Sequence, residues 1–132
     1  MDATKSWRVY FIENCHDCGK YNQEKLFVPV YCVEEPTWGT VTLQWWGFYI
    51  NSFPQNLAPL QICDLQLHRG NHPFLTKNSW LNVNRIHKYP DSSLSEERGI
   101  IASQYHSMIL QAVKDCPVLE TKHKKKILVL QN

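Results

Sequence analysis

Two thiols at C-x2-C spacing open the chemistry of this chain: Cys15 and Cys18, in Cys15-His16-Asp17-Cys18-Gly19-Lys20. Two thiolates so placed can grip one tetrahedral zinc, and a glycine beside them permits the tight turn. A structural zinc needs a second ligand pair, and no second C-x2-C exists. The spaced partners on offer are His68 and His72, with Cys63 nearby in sequence. Three readings stay open: a zinc cofactor held through Cys15 and Cys18, a local redox pair, and two unbridged loop thiols. The last asks for the fewest partners. Five cysteines are an odd number, which argues against a full disulfide framework and makes a reduced, cytoplasmic protein the default. Glu34 and Glu35 are adjacent, so their side chains diverge on an extended chain and do not make a carboxylate dyad. There is no Gly-rich phosphate loop and no Ser/His/Asp arrangement in a recognisable context.

The elements that must position any site read as follows. Trp7–Ile12 is a first strand. Glu13–Glu24 is a polar loop. Leu26–Val33 is a dense apolar strand whose Pro29 must sit at an edge or a bulge, because proline has no N–H for the ladder. Val41–Asn51 is another strand, with Gly47 a bulge or bend. Phe53–Leu60 is a loop and Leu60–Leu67 a strand. Ser79–Ile86 follows the period-2 pattern of a half-buried strand after one slip in phase, and Pro90-Asp91-Ser92-Ser93 turns the chain. Ser103 is placed to cap a helix whose stripe is Tyr105, Met108, Ile109, Ala112, Val113 and Cys116, ended by Pro117. Lys122–Lys126 reads as a basic turn and Ile127–Leu130 as a last strand. Five or so strands with Gly and Pro punctuation and one principal C-terminal helix give a mainly β class, a small barrel or sandwich.

At 132 residues one domain, 1–132, is expected, and 43% hydrophobic residues with five Trp, six Tyr and five Phe suffice for a core. The formal charge of +2 announces no nucleic-acid partner and excludes none. The N-terminus carries no long apolar stretch, and no apolar run approaches the roughly 20 residues that cross a bilayer, so no membrane is expected.

One stretch carries a resemblance. Ser79-Trp80-Leu81-Asn82-Val83-Asn84-Arg85-Ile86, then Ser93-Leu94, Gly99 and the helix Ser103–Val113 are similar to the C-terminal half of the MazF/PemK-like (plasmid-maintenance toxin) family. Trp46-Gly47-Phe48-Tyr49-Ile50-Asn51-Ser52 looks like its central strand. The resemblance implies an SH3-like small barrel, a homodimer, and metal-independent cleavage of single-stranded RNA held in check by an antitoxin. Two departures stand out. Glu24-Lys25-Leu26-Phe27 replaces the family's early Arg-Pro pair, and Asn82 and Asn84 stand where related toxins place Arg and Asp.

Cleavage of RNA without metal needs a base for the 2′-hydroxyl, an acid for the leaving oxygen and a cation for the phosphate. On the resemblance, His87 and His16 offer proton transfer, and Lys25 and Arg85 offer charge. Asn51, Ser52, Asn82 and Asn84 offer hydrogen bonds to substrate. The RNA would lie between the Glu13–Lys25 loop and the Asn82–His87 strand end. The bland alternative makes His87 and Arg85 exposed residues on a solvated rim, in a catalytically silent barrel that binds protein or RNA and is zinc-stabilised through Cys15 and Cys18. Trp38, Trp45 and Trp46 could stack on bases, or serve as core and interface anchors. Adjacent strand residues face opposite ways, so at least one of Trp45 and Trp46 belongs to the core.

Overall fold

The computed structural model describes residues 5–12, 25–51 and 63–130. The chain is mainly β. Its strands are β1 (Arg8–Ile12), β2 (Lys25–Thr37), β3 (Thr40–Asn51), β4 (Asp64–Leu67), β5 (Ser79–Asn82), β6 (His87–Pro90) and β7 (Glu97–Ile100). Two helices follow, α1 (His106–Asp115) and α2 (Thr121–Leu130). The seven strands form one antiparallel sheet in the order β4-β5-β3-β2-β1-β7, with β6 also on β3. Its end strands β4 and β7 do not pair with each other, so the sheet stays open. The helical part is two helices rather than one.

β1, β2 and β3 are apolar on both faces, which is why they read as dense runs. Val9, Val28, Phe48 and Ile50 point to one side, where Ile109 and Val113 of α1 and Ile127 of α2 complete a core. Their neighbours Tyr10, Phe27 and Tyr49 point to the other, into an aromatic cluster with Trp45, Tyr89 and Leu94. Trp45 is buried there, as its alternation with Trp46 requires.

The β2 register against β3 slips between Pro29 and Tyr31, which is the bulge that Pro29 demands. Opposite it stands Gly47, where a Cβ would lie 2.1 Å from the Val28 carbonyl oxygen. At the far end of this hairpin, Trp38 and Gly39 both have positive φ, 48° and 84°. That is the pattern of a type I′ turn, and a non-glycine residue there costs about 1–2 kcal/mol.

Three expectations are corrected, and one strand that sequence reasoning left unassigned is present. Ser79–Ile86 is not one strand: β5 ends at Asn82, the Val83 N–H turns in to the Cys63 carbonyl at 2.8 Å, and β6 begins at His87. Ser103 does not cap α1; it starts a short 3-10 turn, Ser103–Tyr105, with no side-chain cap bond. Ile127–Leu130 and the lysine run before it are helix α2, because His123 and Ile127, one helical turn apart, are both buried. β7, unmarked by any apolar alternation, is a strand held by β1 through Arg8↔Ile100 and Val9↔Gly99.

Candidate functional site

β2 begins and β3 ends at the same edge of the sheet, so Lys25 and Asn51 lie side by side. β5 and β4 continue that row with Asn82 and its register partner Asp64. The four side chains form one directional chain. Lys25 Nζ donates to Asn51 Oδ1, Asn51 Nδ2 donates to Asn82 Oδ1, and Asn82 Nδ2 donates to Asp64 Oδ1 at 2.7 Å. Each link is polarised in the same sense, from an ammonium at one end to a carboxylate at the other, and such chains strengthen cooperatively. Asn51 and Asn82 are buried. Partial burial also holds the Lys25 ammonium below the usual lysine range. Asp64 Oδ2 is buried and has no hydrogen-bond partner among the described residues.

Next to this row the aromatic cluster begins. Tyr49 lies two residues before Asn51 on the same face, and its hydroxyl is hydrogen-bonded to that of Tyr89. The His87 ring stacks on Tyr49 with centroids 3.7 Å apart. His87 is therefore buried, not an exposed rim residue. Arg85 is exposed on the turn between β5 and β6, and Asn84 beside it is half-buried.

Thus Lys25, Asn51 and Asn82 are brought into contact, and His87 is placed one aromatic ring away. Among the described residues no hydrogen bond or ion pair ties Arg85 to them. Ser52, Cys15, Cys18 and His16, like the Glu13–Glu24 part of the expected groove wall, lie outside the described residues. Asp64 was missed by sequence reasoning. Its signal was a single acid inside Leu60–Leu67, a run otherwise free of charge.

The second half of the zinc arrangement does not form. Cys63 and Cys116 are joined in a disulfide, with Cα atoms 5.3 Å apart. His72 is wholly buried, and both its nitrogens are engaged: Nδ1 with the His68 carbonyl at 3.0 Å, and Nε2 accepting from the Ala102 N–H at 3.1 Å. That geometry fixes a neutral ring protonated on Nδ1, and burial pulls its pKa down. Among the described residues no group of three or more His, Cys, Asp or Glu side chains is placed to share a metal ion. Among them, too, no helix is long and apolar enough to cross a membrane.

A third polar contact seats α2. The Tyr31 hydroxyl meets His123 Nδ1 at 2.6 Å, and the Trp46 ring lies 4.6 Å from the His123 ring. Burial, reinforced by Glu120, pushes the Tyr31 phenol up to about 12. Burial lowers the His123 pKa, and Lys122 lowers it further. The phenol therefore keeps its proton and shares a hydrogen bond with a neutral imidazole. No protein-family model and no curated protein matches the chain.

Proposed function

We propose that this chain is a MazF/PemK-like protein that acts on single-stranded RNA at the Lys25–Asn51–Asn82–Asp64 row, without a metal. The observation that carries the reading is the convergence of Lys25, Asn51 and Asn82, three residues assigned to the site on the resemblance, in one continuous hydrogen-bonded chain. An amine depressed by burial serves such chemistry in either form. Neutral, it takes the 2′-hydroxyl proton; charged, it stabilises the phosphorane. The 2′-oxygen then bonds to phosphorus as its proton passes to Lys25, the P–O5′ bond breaks, the 5′-oxygen takes a proton from water, and the products carry a 2′,3′-cyclic phosphate and a 5′-hydroxyl. Lys25 takes over the proton-transfer role expected of His87, whose ring lies against Tyr49. Arg85, exposed on the turn between β5 and β6, is the phosphate contact in this reading.

The test is purified chain with mixed-sequence single-stranded RNA in EDTA. Cleavage is expected, and Lys25→Gln should slow it by about a hundredfold or more. Intact RNA at high protein concentration, with normal growth of bacteria expressing the chain, rejects the nuclease.

The burial of His87 favours a second reading, a silent relative that binds RNA or a protein through the same surface. RNA binding without cleavage would select it. An antitoxin-like protein partner, a homodimer and a cytoplasmic setting belong to the first reading. The Cys63–Cys116 disulfide is the feature that a reducing cytoplasm has to accommodate. Trapping of free thiols in intact cells decides whether that bond forms there.

A further inference from the structure

The β2–β3 hairpin outruns the sheet that supports it. β1 pairs with β2 at Lys25–Phe27, and β6 pairs with β3 no further out than Gln44. From Glu34↔Leu43 to Thr37↔Thr40 the two strands pair with each other alone among the described residues. A two-stranded ribbon on its own is marginal in water. At its root the Lys88–Glu35 ion pair, 2.7 Å, ties it to β6. At its tip Trp38 is 100% exposed, in a backbone conformation that suits asparagine or glycine and not tryptophan. Val41 is 66% exposed beside it. An indole that the described fold neither buries nor accommodates is free to meet a surface outside the chain.

Charge says what kind. Val33–Gln44 holds Glu34 and Glu35 and no lysine or arginine; Lys88 pairs with Glu35, so exposed Glu34 is the acid the arm offers to a partner. Such an arm repels a phosphate backbone and suits a basic, partly apolar surface. The chain carries one. In Val118–Leu130 four lysines stand against one glutamate. On α2, Lys125 and Lys126 are exposed without an ion-pair partner among the described residues, and Val129 is 70% exposed. α2 is seated on Tyr31 and Trp46, at the root of the same arm. Arm and α2 are therefore neighbours on the surface, and a two-fold axis between two copies lets each arm reach the other's α2.

We propose that the arm is a self-docking element: Trp38 and Val41 of one copy seat on α2 of a second copy, and Glu34 faces Lys125 and Lys126. This names the surface for the homodimer that the first reading expects, and its test is separate from RNA cleavage. Sedimentation of the full chain at low and high salt tests it. The expected result is a dimer that weakens as salt rises. Trp38→Asn supplies the residue a type I′ turn prefers, so it should unfold no more easily than the parent while weakening the dimer on the order of tenfold or more. Glu34→Lys, or Lys125→Glu with Lys126→Glu, should each weaken it, and the three changes together should restore it. A chain that stays monomeric throughout, or a dimer indifferent to Trp38→Asn and to the charge reversals, overturns the proposal. Quenching of Trp38 fluorescence by single-stranded RNA without a change in mass assigns the arm to nucleic acid and overturns it as well.

Discussion

His72 and His123 are buried as neutral rings, and pH acts on both in one direction. Burial lowers each pKa from 6.5. Unfolded, each ring takes up its proton near that value; folded, it resists until a lower pH. Between the two the unfolded chain binds more protons, so stability rises with pH. The contribution is complete above about 6.5 and drains away as pH falls through 6.5 toward the folded values. Urea midpoints measured from about pH 8 down to about pH 5 should fall, with the steepest change just below the ordinary histidine pKa. At the alkaline end Tyr31 works oppositely. Its proton is lost from the unfolded chain near 10 and from the folded one near about 12, so stability should decline between these values. Neither histidine announced itself in the sequence as a structural group; His72 read as a spaced ligand and His123 as part of a basic run. What decides their roles is contact with Ala102 in one case and Tyr31 in the other, 30 and 92 residues away. Lys25, Asn51 and Asn82 were singled out on the resemblance; Lys25 and Asn51 flank strands that the pattern marked, whereas Asn82 was read inside Ser79–Ile86 and stands at a strand end because β5 stops there.

At the scale of elements, β1, β2, β3 and the stripe of α1 were readable, Met108 excepted since it is exposed, because their periodicity is strong and their breaks are chemical: Pro29, Gly47, Pro117. α2 was not. An Ile-Leu-Val-Leu run has strand propensity, and the helix is decided by packing of His123 and Ile127 against β2, not by local preference. β4 and α1 were each visible, but the covalent tie between them was not. Cys63 stands immediately before Asp64, and Cys116 immediately after α1, so the disulfide fixes the strand that carries the acidic end of the site to the helix that covers the core. Closing a loop of 53 residues contributes about 4 kcal/mol by restricting the unfolded chain. Reduction, or Cys63→Ala with Cys116→Ala, should lower the unfolding free energy by roughly that amount in urea titrations. A loss below about 1 kcal/mol would show that the helix and β4 hold together without the bond.

The molecule as a whole depends on one crossing point. β3 is the strand that meets most neighbours: β2 along its length on one side, β5 and then β6 on the other. At Gly47 these meet, since that residue is in register with Pro29 of β2 and with His87 of β6. The aliphatic core lies on one face there and the aromatic core on the other, so a shift of backbone at Gly47 is felt by both. The sequence marked Gly47 as a bend. It could not show that the glycine is needed for close approach, because the Val28 carbonyl arrives from another strand. A Cβ would sit 2.1 Å from that oxygen and 2.8 Å from the tip of the Phe27 ring. The ring could yield; the carbonyl could not, being held in the bulge that Pro29 forces. Gly39 makes the contrast. It has φ +84° and open space around it, so a methyl group there strains the turn alone. Gly39→Ala should cost about 1–2 kcal/mol and leave both cores intact. Gly47→Ala should cost several kcal/mol, a large part of the roughly 5–15 kcal/mol that holds a domain of this kind together. Circular dichroism melts and soluble yield compare the two directly. If Gly47→Ala melts within a few degrees of Gly39→Ala, the two cores are not coupled through this crossing, and β3 can shift past β2 without cost to the fold.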